Sequence, residues 1–202
     1  MSCKLTNNIV QCDFTVGGFR NLYVVNFDDL DYFSYDIDNQ IITGITLNLG
    51  ANIFQLESNN FFVTANETLN KNNNKWSNEL TVEVQLFELE YFKRLRLMEM
   101  LNSDVILLAK TNNGNVWVLG EENGLTLSTI NGDSGLNYAD YNGYKLIFKG
   151  LEKDLSKFGD GNLISDIELI MQPIDCYAYS GITWSSATYW QTVKDCLFSQ
   201  FT

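Results

Sequence analysis

The sequence predicts a mainly β fold, an antiparallel β-sandwich or half-barrel with one packing α-helix at about residues 88–103. Three observations predict it. Apolar and polar residues alternate with the period of two that a half-buried strand requires. Asn-Gly pairs recur between the apolar runs, as hairpin turns require. Only one segment changes to the spacing of a helix.

The first half of the chain predicts strands at residues 21–27 and 40–50, followed by a long hairpin. The predicted arms of this hairpin are residues 60–69 and 77–89, and its tip is polar. The second arm alternates most regularly. Its apolar set is Leu80, Val82, Val84 and Leu86, and its polar set is Glu79, Thr81, Glu83 and Gln85. We therefore expect a strand with one buried face and one polar face.

The helical segment follows this arm. Its apolar residues Phe92, Leu95, Met98 and Leu101 recur at intervals of three. This spacing places them on one side of a helix of about three turns. We expect that side to cover the sheet.

The second half of the chain predicts three short strands and a longer one, at residues 105–109, 115–119, 124–130 and 143–152. Asn113-Gly114 and Asn123-Gly124 lie at the two reversals between the short strands. The runs VILLA and VWVL are apolar at every position, which indicates central strands covered on both sides. We predict a domain at residues 1–152 and a C-terminal extension at residues 153–202.

Composition excludes several classes of function. The chain has 202 residues, a formal net charge of −12 and no histidine. No basic patch is available to hold phosphates, which argues against sequence-specific nucleic-acid binding. The lack of histidine removes Ser-His-Asp and Cys-His catalysis and the commonest metal ligand. We predict a protein that is not an enzyme and that has no cofactor and no metal.

The N-terminus and the cysteines indicate a reducing cytosol as the place of synthesis. The first residues lack the apolar core of a signal peptide, and no run reaches membrane-spanning length. We therefore predict no membrane binding by this chain alone. The four cysteines, Cys3, Cys12, Cys176 and Cys196, form no CxxC pair and are expected to remain thiols.

Two groups of acidic residues could carry chemistry. Glu79 and Glu83 share one strand face, as the paired carboxylates of some glycosidases do. Asp133, Asp140 and Asn142 lie in a Gly-rich loop that could bind calcium, but they do not match the spacing of a calcium loop. Any acidic strand shows such a pair, so an ordinary solvated face explains Glu79 and Glu83 better than catalysis does.

The C-terminal segment 174–202 is rich in aromatic residues within a Ser/Thr-rich context. Such a segment either folds back on its own domain or docks on a neighbouring subunit. We take the second alternative as the working hypothesis. The subunit-contact candidates are Tyr177, Tyr179, Trp184, Tyr189 and Trp190.

The order of these elements resembles the tail-tube and tail-hub proteins of tailed bacteriophages. The resemblance is carried by Gly17-Gly18 with NLYVVNF, by the hairpin 60–89, by the helix 88–103 and by VILLAKTNNGNVWVLGEENGLTLST. It covers the chain from about the N-terminus to Glu152. The Asn-rich, His-free composition is similar to that of phages of Bacteroidetes, including the crAss-like group.

The resemblance implies a virion structural protein, made in the host cytoplasm, that forms a homo-oligomeric ring of sixfold or twelvefold symmetry in the tail. Each subunit would add strands to a shared β-barrel, whose acidic lumen lets DNA pass during genome ejection. Neighbouring tail or neck proteins would be further partners. The lumen-facing candidates are Glu79, Thr81, Glu83, Gln85 and, on the opposing arm, Glu67.

Two other classes of function stay open. A carbohydrate- or receptor-binding β-sandwich of a phage surface structure would use exposed aromatic residues such as Trp184, Tyr189 and Trp190. A polysaccharide-cleaving enzyme would use paired carboxylates, and it ranks below the other two.

Overall fold

The computed structural model describes residues 17–36, 40–56, 63–72, 75–137 and 140–170. All of these residues belong to one compact unit, Met1–Met171, and Gln172–Thr202 form a second unit. The predicted boundary after residue 152 is therefore too early. The reason is that Leu163 and Ile167 are buried in the same core as strand residues.

The described residues form eleven strands and two helices. The strands are β1 (Phe19–Asn26), β2 (Leu30–Asp36), β3 (Ile41–Leu47), β4 (Phe54–Leu56), β5 (Val63–Asn72), β6 (Lys75–Phe87), β7 (Asp104–Thr111), β8 (Val116–Leu119), β9 (Leu125–Asp133), β10 (Gly143–Glu152) and β11 (Phe158–Gly159). The helices are α1 (Tyr91–Met100) and α2 (Gly161–Ile170), and a 3-10 turn spans Phe27–Asp29. The prediction of a mainly β fold is confirmed.

The sheet forks at β7. One edge of β7 pairs with β1, which pairs in turn with β4. The other edge pairs with β8 over residues 107–110 and with β9 over residues 104–105. One branch then runs from β8 through β11 and β3 to β2, and the other from β9 through β10 and β6 to β5. All pairings are antiparallel except the short contact between β11 and β3.

Two hydrophobic cores lie on opposite faces of β1 and β7. Val105, Leu107 and Ala109 point into the core that β6, β9 and β10 also line, whereas Ile106 and Leu108 point into the core lined by β2, β3 and α2. All five side chains are fully buried. The prediction that VILLA is a central strand covered on both sides is confirmed, because successive residues of a strand face opposite ways.

The Asn-Gly pairs form strand reversals. Gly114 has φ +90° and lies between β7 and β8, and Gly124 has φ +74° and lies between β8 and β9. Glycine adopts this left-handed region without a steric penalty. Gly120, at φ +86°, is crowded as well, because an added Cβ would lie 2.9 Å from the Leu125 side chain. These pairs therefore set hairpin geometry.

The predicted helix exists, but the prediction of which side packs against the sheet is wrong. Helix α1 is shorter than predicted, and Phe92, Leu95, Met98 and Leu101 are exposed. Leu97 is the buried residue of α1, and it contacts the core that contains β6 and β10. The predicted stripe therefore does not cover the sheet.

Helix α2, which the sequence did not predict, covers the face of the central strands opposite to α1. Leu163 and Ile167 are fully buried beside Ile42 and Ile45 of β3. Asp160 caps this helix, since its Oδ1 accepts hydrogen bonds from the backbone N–H groups of Asn162 and Leu163.

Candidate functional site

The polar face of the β5–β6–β10 sheet contains four of the predicted site residues. Glu79 on β6 is exposed, and Thr81, Glu83 and Gln85 are half-buried. The residues between them point into the core and are buried. The predicted alternation of β6 is therefore confirmed, and these four side chains lie on one face.

Strand β10 places two lysines on this same face. Residues opposite each other in an antiparallel pair share a face, and Lys145 lies opposite Gln85 while Lys149 lies opposite Thr81. The Lys145 Nζ atom lies 2.7 Å from Oε2 of Glu83. Where all three strands pair, these two ammonium groups oppose two carboxylates, Glu79 and Glu83, and this part of the face is balanced in charge. Lys75 lies on the same side of β6, nearer the tip of the hairpin.

Glu67 does not belong to this face. It lies opposite Leu80, so its side chain projects on the side of the core. There Oε1 of Glu67 accepts hydrogen bonds from Nδ2 of Asn78 at 2.9 Å and from the backbone N–H of Ser156 at 2.8 Å. We correct the prediction that Glu67 shares a surface with Glu79: its carboxylate joins the long hairpin to the segment that follows β10.

The β5–β6 hairpin is paired closer to its tip than predicted, since its strands are Val63–Asn72 and Lys75–Phe87 and the predicted tip was residues 70–76. Its pairing continues to Asn72 opposite Lys75, whereas β10 accompanies β6 only as far as Asn78. The end of the hairpin is therefore a two-stranded ribbon. Trp76 is exposed there, and Lys71 Nζ lies 4.8 Å from the centre of its ring.

A second surface is formed by α1. Its exposed apolar side chains and the neighbouring Leu89 make a continuous patch, comprising Leu89, Tyr91, Phe92, Leu95, Met98 and Leu101. The rings of Tyr91 and Phe92 contact each other edge to face, with centroids 5.5 Å apart. An exposed apolar patch of this kind is typical of an interaction site.

A cluster that the sequence did not reveal surrounds Tyr35. Its hydroxyl donates to Oε1 of Glu121 at 2.5 Å, and Lys157 Nζ lies 2.6 Å from the same oxygen. Burial, together with the hydrogen bond to Glu121, raises the pKa of Tyr35. Tyr35 and Lys157 also line an open cavity of about 310 Å³. The residues come from β2, the β8–β9 turn and the segment before β11. Because these segments are distant in sequence, no local motif identifies the cluster.

Glu152 lies near this cluster, at the end of β10. It is 4% exposed, and its Oε1 accepts a hydrogen bond from the backbone N–H of Glu122 at 2.9 Å. Burial raises the pKa of Glu152, and the nearby carboxylates of Glu122 and Glu121 add to this shift. These groups hold the β8–β9 turn against the end of β10.

The calcium candidates have other partners. Oδ2 of Asp140 accepts hydrogen bonds from the backbone N–H groups of Leu136 and Asn137, and Oδ1 of Asp133 accepts one from Gly135. These backbone hydrogen bonds lower the pKa of Asp140. The carboxylates thus close a loop, and the part of the chain that the structure describes contains no cluster of three or more metal-ligating residues.

The remaining predicted residues, Tyr177, Tyr179, Trp184, Tyr189 and Trp190, lie outside the described residues. No protein-family model, curated protein or solved structure matches this sequence. Within the described ranges, no helix is long and apolar enough to cross a membrane.

Proposed function

We propose that this chain is a structural subunit of a phage tail that assembles with copies of itself into a ring or tube, through which DNA passes during genome ejection. The resemblance of its element order to tail-tube and tail-hub proteins supports the phage assignment. The structural observation that carries the proposal is the outer edge of β5.

Strand β5 has ten residues, and among the described residues it pairs only with β6. Within the described ranges, the N–H and C=O groups along its other edge therefore have no strand partner. Long edges of this kind pair readily with another chain, and soluble monomers usually shorten, bend or charge them. Only Glu67 and Lys71 are charged within β5. Pairing with a neighbouring subunit would close the sheet and satisfy these groups.

The polar face beside this edge fits the wall of a DNA channel. It consists mainly of Thr, Asn and Gln side chains, with Ile147 and Leu151 from β10, and its residues Glu79 and Glu83 are offset by Lys145 and Lys149. Where β5, β6 and β10 pair, the face has no excess of ammonium groups, and a surface without such an excess does not hold phosphates. The formal net charge of −12 repels polyanions from the subunit as a whole. DNA could then slide past without being retained.

Negative-stain electron microscopy of the purified full chain tests the proposal. We expect rings or short tubes with an open channel at high protein concentration, with the mass of an integral number of subunits by light scattering. A chain that stays monomeric at the highest attainable concentration would contradict the proposed self-association.

A further inference from the structure

We infer that the exposed apolar face of α1 docks on the acidic end of β2 in a second copy of this chain. The inference rests on the proposed function and names a further pair of surfaces, besides the edge of β5, through which neighbouring subunits meet. It depends on the composition of the two surfaces and on their positions in the fold.

The α1 surface has the composition of a protein interface. Tyr91, Phe92 and Met98 are each more than half exposed, and Phe92 is 63% exposed. Aromatic residues, Met and Arg are enriched at interfaces, whereas Lys and Glu are depleted. Arg94 lies on the same helix and makes no ion pair among the described residues, while Lys93 and Arg96 are paired with neighbouring glutamates. Arg94 therefore supplies an unneutralised guanidinium beside the apolar patch.

The complementary surface lies where β2 begins. Asp28 and Asp31 are exposed there, and Tyr32 presents an exposed ring between them and the rest of the strand. The backbone N–H of Asn48 donates to the carbonyl oxygen of Asp29, which brings the fully exposed Leu49 beside this turn. Residues 21–70 contain no Lys or Arg. This surface thus combines exposed apolar groups with carboxylates that attract Arg94.

The two surfaces belong to opposite sides of the subunit's central strands. Helix α1 places Leu97 in the core on one face of β1 and β7, whereas β2 places Phe33 in the core on the other face. A contact between two different patches of identical subunits is heterologous, and it produces rings when the rotation closes. Docking α1 on β2 of the next copy therefore propagates from subunit to subunit.

Sedimentation velocity on the full chain tests the α1 surface. We expect the double substitution Phe92→Ser/Met98→Ser to weaken self-association at least about tenfold, because central apolar residues dominate interface energies. The melting temperature should change little, since both side chains are exposed in the subunit. The matched control is Leu136→Ser, because Leu136 is 99% exposed and lies on the loop between β9 and β10. It should associate like the unmodified chain.

Charge reversal tests the identity of the partner surface. Arg94→Glu alone places two carboxylates in contact at the interface, and Asp31→Lys alone places two cations there, so each variant should associate about tenfold more weakly. A mixture of the two variants should recover association, because alternating subunits then oppose unlike charges at every contact. The double variant Arg94→Glu/Asp31→Lys should recover it as well.

The outcomes separate this inference from the proposed function. If the unmodified chain stays monomeric, both fail. If it assembles but the α1 substitutions have no effect, only the docking inference fails. If the α1 substitutions weaken assembly but the mixture of charge-reversed variants does not restore it, β2 is not the partner and the inference is overturned.

Discussion

Glu152 shows how burial changes one carboxyl group in this protein. The ordinary pKa of this group is 4.5, and burial raises the value in the folded chain, although backbone hydrogen bonds from Glu122 and Asn123 oppose the rise. The folded state therefore keeps the proton to a higher pH than the unfolded chain does. The stabilising effect of this titration is fully present below about pH 4.5 and is lost as pH rises through the folded pKa.

We predict that Glu152→Gln changes the pH dependence of stability. The glutamine does not titrate, so the free energy of unfolding of the variant, relative to the unmodified chain, should increase between pH 4 and pH 8. Urea unfolding at several pH values measures this difference. Glu79→Gln, on the exposed face of β6, is the control for removal of one charge. A relative stability that falls as pH rises would contradict the assigned burial effect.

At the scale of the element, α1 shows that hydrophobic periodicity predicts a helix but not which of its sides is buried. The spacing of Phe92, Leu95 and Met98 correctly predicts a helix, but these side chains are exposed and Leu97 is buried. An apolar stripe indicates that a surface will be covered; it does not indicate by which chain. The core residue Leu97 was missed because only Met100 accompanies it on that side of the helix, and two apolar residues make no stripe. Its burial depends on strands that are distant in sequence.

We predict that two leucines of α1 contribute very differently to the stability of the subunit. Leu97→Ala should lower the free energy of unfolding by about 2–4 kcal/mol, because it removes a buried side chain from a packed core. Leu95→Ala should cost less than about 1 kcal/mol, because Leu95 is 44% exposed. Chemical unfolding of dilute, monomeric protein compares the two. Similar losses for both variants would contradict the orientation of the helix.

At the scale of the whole molecule, the sequence predicts the structural features that depend on local residue patterns. The strands from 105 to 152 and their Asn-Gly reversals are local features, and the structure confirms them. The fork at β7 depends on long-range pairing, which no local pattern encodes. The helix α2 was missed because its apolar residues cover β3, more than a hundred residues away in the chain.

The polar face shows the same division between local and long-range information. The alternation of β6 predicts correctly that Glu79 and Glu83 share a face, but Lys145 and Lys149 reach that face from β10. The excess of carboxylates expected from β6 alone is thus offset by its neighbour. The same register removes Glu67 from the face, because a residue on β5 points to the side of its partner on β6.

The charge balance of this face leads to a prediction about DNA passage. Glu79→Lys/Glu83→Lys would place two new ammonium groups beside Lys145 and Lys149, giving four on the three-stranded part of this face in each subunit. Repeated around a ring, such a surface would hold phosphates through release of their counterions. We expect virions that carry this variant to assemble normally but to eject DNA slowly. The delay should shrink as salt concentration increases, since salt screens these contacts.

Release of DNA from purified virions, followed with an intercalating dye, measures this effect. Glu79→Gln/Glu83→Gln is the matched control, because it removes the same carboxylates without adding positive charge, and it should eject DNA at nearly the unmodified rate. Ejection at the unmodified rate by assembled Lys-containing particles would show that this face does not line the channel. Because self-association is measured separately, that result would remove the lumen assignment and leave the ring-forming role intact.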